Sequence, residues 1–530
     1  MTEQVVVYDD FSGGEFGDLP PHQIRPNMWS GSNVFLTRQG RLSLRPGARD
    51  LDPPLTLSSG DDVVASGFIG SPASSHWVAF NDVSSGTPAT VRFRNLLSNS
   101  WDASRDMVFT LGTADLVPGF LGVEVATETA YFINPGHAMW RYDVNGTGIP
   151  ATTQITLPFT PDRALAKYKD RLFVSAGNRV YYSNAGDFNT FASDQWFDVG
   201  FGPHVRWMGW QRDVLVLITQ DSAVWEYRGT PGRDSLRRSY RGERHPWVFY
   251  NGRAQIVGND DVVFIPVDRD YPAYYRNGQM SEVSYLNAMK GAGSQNDPED
   301  VQSIRLFRDD EVMFTFGAAL HPETGKRRSL MYRNGAWCYI DWGHIIFTDA
   351  PINPFMSSDQ QGVVYMQGEV ANNMSWSWDS GLDRPGFSSD TYAQVGDYYQ
   401  QPSRTSIDAH FRLPDWWSAP GESVIVKEVQ VDFVKYETGQ TDPTHFDVEL
   451  HQLALGQSGT RVTQLQAFDE TNAGIGGGSD GVRDRHKALV PPEANIGTAG
   501  FFIKIDGISA VAIEQIRVRI EVQPAEPRDI

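Results

Sequence analysis

Adjacent carboxylates are the first residues in this sequence whose type and spacing suit a reaction. Asp9-Asp10, Asp260-Asp261 and Asp309-Asp310 each set two acids side by side, and a pair of acids with unequal pKa values is what glycoside hydrolysis uses. Their settings argue for a plainer role. Asn-Asp-Asp and Arg-Asp-Asp between two apolar runs are ordinary hairpin tips. The 11 His are scattered without an HxH or HExxH spacing, so they make no metal motif, and His76, His137 and His204 read as hydrogen-bonded structural residues in or beside strands. The string GxSxG occurs at Gly477 to Gly481 (GGSDG) without the strand before it and the helix after it that make a nucleophile elbow, and no phosphate-binding GxxxxGK[ST] loop is present. Gly474 to Gly481 (GIGGGSDG) is glycine-rich, but it neither follows a strand pattern nor opens a helix, as a phosphate cradle must. Asp143 to Gly148 (DVNGTG) and Asp379 to Asp383 (DSGLD) offer oxygens for Ca²⁺ without the full loop spacing or its terminal Glu. These residues predict no enzyme, no catalytic set, no metal site and no cofactor.

The bulk properties point the same way. A chain of 530 residues is expected to form two or three domains, and 50 Gly, 31 Pro and 12% aromatic residues favour an all-β protein rich in turns. A formal charge of −20 weighs against specific nucleic-acid binding or an anionic membrane, because phosphates must be neutralised by Lys and Arg. Cys338 is the only cysteine, so a disulfide within the chain and a cysteine metal site are both excluded. The opening MTEQVVVYDDFSGG lacks the basic and apolar regions of a signal peptide, and no apolar window is long enough to predict membrane insertion. Synthesis in a cytoplasm is the expectation.

The elements that must position any site are short. Between Arg163 and Gly229, the runs Leu172 to Ser175, Val180 to Ser183, Val214 to Ile218 and Val224 to Tyr227 are separated by turn-forming Gly, Asn and Asp. The same phrase recurs from about residue 63, with copies near Val64 to Phe80, Gly119 to Asp143, Ala254 to Arg276, Ser303 to Tyr339 and, less regularly, Pro354 to Trp378. A period of roughly 40–45 residues with four strands apiece is the spacing of propeller blades. Stacked sandwiches are the alternative, but an unbroken series favours a closed ring. The fold expected is therefore all-β, with a six- or seven-bladed β-propeller over 61–390. Trp207, Trp210, Trp225 and Trp337 are expected to pack between blades.

On either side the character changes. Residues 1–60 carry too much Gly and Pro for a helix and read as an extended N-terminal arm, with Asn33 to Thr37 and Arg41 to Arg45 pairing as a hairpin. Residues 379 to 422 have linker composition, and beyond them Val424 to Phe433, His445 to Leu450, Gly500 to Ile505 and Ile516 to Val522 alternate or run apolar. That pattern predicts a C-terminal antiparallel β-sandwich over 391–530. Trp416-Trp417 in a Pro-flanked loop is a candidate contact with another subunit, set against packing on its own domain.

One family carries these phrases. DFSGGEFGDLPPHQIRPNMWSGSNVFLTRQGRLSLRPGARDL resembles the N-termini of bacteriophage tail proteins in Gly13-Gly14, in Asn33 and in the Gly40 to Gly47 hairpin. RVYYSNAGDFNTF, WFDVG and GWQRDVLVLITQDSAVWEYRG resemble the propeller of tail nozzle, tail-stabilisation and minor tail proteins. The resemblance covers residues 10 to 50 and 163 to 230. It implies a non-enzymatic virion component forming a ring about the tail axis, sixfold in preference to threefold, that extends the DNA conduit and attaches an adaptor, tube or fibre protein. DNA would pass without specific binding. Subunit contacts are then expected at Phe11, Phe16, Trp29, Arg45, Trp416 and Trp417. The alternative is a tail-associated propeller that binds or degrades polysaccharide.

Overall fold

The computed structural model describes residues 2–45 with breaks at 17–18 and 20–22, and residues 152–240 with breaks at 163, 212, 222 and 230–235. It also describes 327–341 and most of 407–524 outside 436–443, 454–459 and 471–481, and elsewhere the backbone of paired strands. Every regular element among these residues is a strand, apart from short 3₁₀ turns. By internal contacts the chain forms two units: 1–49 with 330–341 and 378–530, and 50–329 with 342–377.

Among the described residues seven small sheets follow one another along the middle of the chain, six of them built on a four-stranded meander. The third, Leu165–Tyr168, Arg171–Ala176, Arg179–Tyr182 and Trp196–Asp198, shows why the sequence folds this way. Its apolar runs do not alternate with polar residues because both faces are buried. Leu172 and Val174 join a cluster with Tyr131, Ile133 and Met139 of the second sheet. The intervening Phe173 points to the other side, where it packs with Met208, Leu215, Leu217 and Tyr227 of the fourth. Aromatic rings fill that second layer: Phe197 stacks on Tyr227 at 4.8 Å and Phe173 meets Tyr227 edge-on at 5.6 Å. Glycines at positive φ, such as Gly177 at 65° in the Ala-Gly-Asn turn, let the strands reverse within two residues.

The leading strands of these sheets form a cycle. Asp61–Ile69 lies beside Gly122–Ala126, and that strand beside Leu165–Tyr168. Val205–Gln211, Ala254–Val257, Val301–Arg305 and Phe355–Ser358 continue the series, and Phe355–Ser358 returns to Asp61–Ile69. The seventh sheet takes its fourth strand, Ala48–Asp50, from ahead of the first sheet. Trp225 packs on the cluster between the third and fourth sheets as expected, and Trp337 is buried, but Trp210, near the end of Val205–Gln211, is 46% exposed.

The first unit has two larger sheets. One joins Thr2–Tyr8, Val34–Leu36, Leu42–Leu44, Glu422–Lys435, Val482–Leu489 and Val511–Pro524. The other has Gly500–Ser509 and Thr444–Leu453 at its centre, with Met28–Ser32 and His410–Arg412 on one flank. The two face each other through Phe433, Phe446 and Phe468, whose centroids lie 4.8 to 5.4 Å apart. Residues 1–49 are not an arm standing apart from the C-terminal strands. Thr2–Tyr8 pairs in register with 516–522, Met28–Ser32 with His410–Arg412, and Leu42 with Ile513. Physically, Val34, Phe35, Leu36, Leu42 and Leu44 are all at most 3% exposed, so this segment needs a core and its backbone needs partners.

Candidate interaction surfaces

Four of the six residues expected at subunit contacts are instead inside the first unit. Phe11, Phe16, Trp29 and Arg45 are at most 4% exposed. Trp29 donates its indole N–H to the Phe11 carbonyl at 3.2 Å, and Phe11 packs edge-on against Phe411. These residues join the N-terminal strands to the C-terminal ones. Trp416 and Trp417 divide. Trp416 stacks on Phe501 at 5.5 Å, whereas Trp417, opposite Gly500 in the register, is 52% exposed. Gly500 is required there, because a Cβ would lie 2.3 Å from the Trp416 carbonyl oxygen.

Residues of the N-terminal hairpin form a buried lock. Asn33 sits at φ 58°, and its Oδ1 accepts from Arg45 Nε at 3.0 Å and from the Asp341 amide at 2.9 Å. The Asn33 amide donates to the Tyr339 carbonyl and its own carbonyl accepts from the Arg45 amide. The Arg333 guanidinium lies over the Phe35 ring at 4.2 Å, and Asn334 Nδ2 donates to the Leu36 carbonyl. Gly14, at φ 71°, approaches the strand Ala336–Asp341 so closely that a Cβ would stand 2.9 Å from the Trp337 nitrogen. Asn33 and Gly14 were visible in the sequence as motif letters. Asp341 and Tyr339 were not, because nothing near them in the chain marks a partner about 300 residues away.

Outward faces of the two sheets are ionic. On the first, Asp432 lies between Arg485 at 2.7 Å and Arg517 at 3.5 Å, Glu428 between Lys487 and Arg519, and Glu514 between Arg41 and Arg483. Each carboxylate is less exposed than the cations flanking it, apart from Arg41. An open cleft of about 660 Å³ runs beside Asp9, Asp432, Arg483, Asp484, Arg485, Glu514, Gln515 and Arg517. On the second sheet, the Phe502 ring is stacked by His451 at 4.3 Å and lies under the Arg412 guanidinium at 3.8 Å. Glu449 accepts from Gln464 and pairs with His451 and Lys504. Burial opposes its ionisation, but those hydrogen bonds and the Lys504 charge hold it below the usual carboxylate range. Asp506 is likewise held low: burial opposes, and Lys504 outweighs it.

Two further features lie on the repeated sheets. His204 Nδ1 is 2.9 Å from Asp162 Oδ2, and its carbonyl accepts from the Gln220 amide, so it braces a strand entry. Phe201, between Gly200 and Gly202 at positive φ, is 95% exposed. Among the described residues no three His, Cys, Asp or Glu gather as metal ligands. Asp309-Asp310, Asp260, His137, Gly474 to Gly481 and most of both Ca²⁺ candidates lie outside the described residues.

No protein-family model matches the sequence, and no curated protein matches it. Solved structures give distant likenesses of fold. Raptor of Chaetomium thermophilum aligns at 7% identity and TM-score 0.44, over 66% of this chain and 30% of that one. The WD40 domain of Neurospora crassa Pan2 aligns at 10% and 0.38, over 62% and 98%. YCF48 bound to D1 peptide aligns at 12% and 0.41, over 70% and 99%. This chain therefore spans under a third of Raptor's length.

Proposed function

We propose that this chain is a non-enzymatic structural component of a bacteriophage tail, a seven-bladed β-propeller joined to a β-sandwich that includes the N-terminal strands. In the virion it assembles as a ring about the tail axis, extends the DNA conduit and holds neighbouring tail proteins. The observation that carries the reading is the cycle of leading strands over seven sheets, with Ala48–Asp50 completing the last. Such closure leaves only short sheet edges and makes a rigid scaffold. The tail-protein phrase supports the functional half: Gly14, Asn33 and Arg45 are motif residues with specific structural duties. A charge of −20 suits a wall that DNA must slide past.

Negative-stain microscopy of the purified chain, with antibody labelling of intact virions, tests this. Rings of sixfold or threefold symmetry and label on the tail are expected; a chain absent from virions would refute the reading. Exposed Phe201, Trp210 and Trp417 favour one rival, a polysaccharide-binding or -degrading tail protein, since such rings stack on sugars. Incubation with host surface polysaccharide separates the two, shortened or retained chains favouring the rival.

A further inference from the structure

The two ends of one sheet are complementary to each other. In the first unit the strands Thr2–Tyr8, Val511–Pro524, Glu422–Lys435 and Val482–Leu489 lie in that order, every neighbour antiparallel. Among the described residues, Thr2–Tyr8 pairs only with Val511–Pro524, and Val482–Leu489 only with Glu422–Lys435. Among these residues both stand at an edge of the sheet. Natural edges of this length are normally blunted by Pro, Lys or a bulge. Thr2–Tyr8 has none of these: it reads TEQVVVY and its register is unbroken.

The register shows what stands on the outer face. Val5 is opposite Arg519, which is opposite Glu428, which is opposite Leu489. The next outward row is Val7, Arg517, Gln430 and Lys487. Directly opposed residues share a face, so Val5 and Val7 at one edge and Leu489 at the other project on the same side. They are 58%, 44% and 65% exposed. Charge distinguishes the edges. Thr2–Tyr8 and the two residues after it hold Glu3, Asp9 and Asp10 and no cation, while Val482–Leu489 holds Arg483, Arg485 and Lys487 against Asp484.

We propose that Thr2–Tyr8 of one copy adds to Val482–Leu489 of the next, extending the sheet from copy to copy. An even number of strands makes this work: with four alternating strands, a second copy in the same orientation brings its first strand antiparallel to the last strand of its neighbour. The outer faces stay on one side, Val5 and Val7 approach Leu489, and acidic meets basic. Pairing Val482–Leu489 with itself would instead oppose cations. The contact is head-to-tail, so it generates a ring or an open filament. Only its closure rests on the ring proposed above.

Disulfide capture in the full chain tests the contact, since the native Cys338 is buried. Val5→Cys or Val7→Cys, each combined with Leu489→Cys or Lys487→Cys, should give a reducible ladder of linked copies on oxidation, and the single variants should not. Four combinations of exposed positions guard against one variant failing to fold. Val5→Lys with Val7→Lys should weaken self-association at least tenfold by sedimentation. Oligomers that never cross-link through any pair would overturn the strand pairing and leave the ring intact. Dimers from Val7→Cys alone would overturn it in favour of a twofold contact, and a chain that stays monomeric at about 100 µM would overturn it outright. A ladder without closed rings by microscopy would support the pairing and refute the ring.

Discussion

Replacing Asn33 with Ala isolates the lock that fixes the N-terminal hairpin. The change removes one oxygen that serves two buried donors, Arg45 Nε and the Asp341 amide. A buried donor left without its acceptor costs about 1–3 kcal/mol, and more when the donor is charged. The backbone at φ 58° adds roughly 1 kcal/mol, since Ala lacks the side chain that makes Asn tolerant of the left-handed region. The loss expected is about 3–6 kcal/mol in the first unit. Asn33→Asp keeps both the acceptor and the tolerance of that backbone and places a negative charge beside Arg45, so it should lose less than half as much. Urea denaturation followed by amide exchange in residues 28–45 reads the unit directly, which matters because two units need not unfold together. If Asn33→Ala unfolds within about 0.5 kcal/mol of the parent, the lock has no energetic role and the reasoning from buried donors fails here.

Other perturbations follow from the same geometry. Gly31→Ala would place a Cβ 2.2 Å from the His410 carbonyl oxygen, so the Met28–Ser32 pairing with His410–Arg412 should break and soluble yield should collapse. Phe173→Ala should cost about 3–5 kcal/mol by cavity formation, measured by thermal unfolding, while Phe201→Ser, at 95% exposure, should leave the melting temperature unchanged. Asp506 and Glu449 titrate below their ordinary values of 3.8 and 4.5 when folded. Their stabilisation is thus complete above those values and is lost as pH falls through the lower folded ones. Urea midpoints measured from pH 6 down to pH 2 should fall steeply at the acid end, and Asp506→Asn should flatten that fall.

Much of the architecture was legible locally. Turn residues and strand runs of four to nine residues report on their own neighbourhood, so the recurring unit, the Asn33-to-Arg45 hairpin strands and the alternating C-terminal strands could be read from periodicity alone. What periodicity cannot carry is the address of a partner. Nothing in TEQVVVY names 516–522, and nothing in Asn33 names Asp341. Such pairings depend on chain closure over hundreds of residues and on which apolar faces are left to cover one another. For that reason Phe11, Phe16, Trp29 and Arg45, expected at subunit contacts, proved to be core. Composition determined an all-β, acidic chain. Tertiary structure decided where its N-terminal strands are woven in and which strands stand at the sheet edges among the described residues.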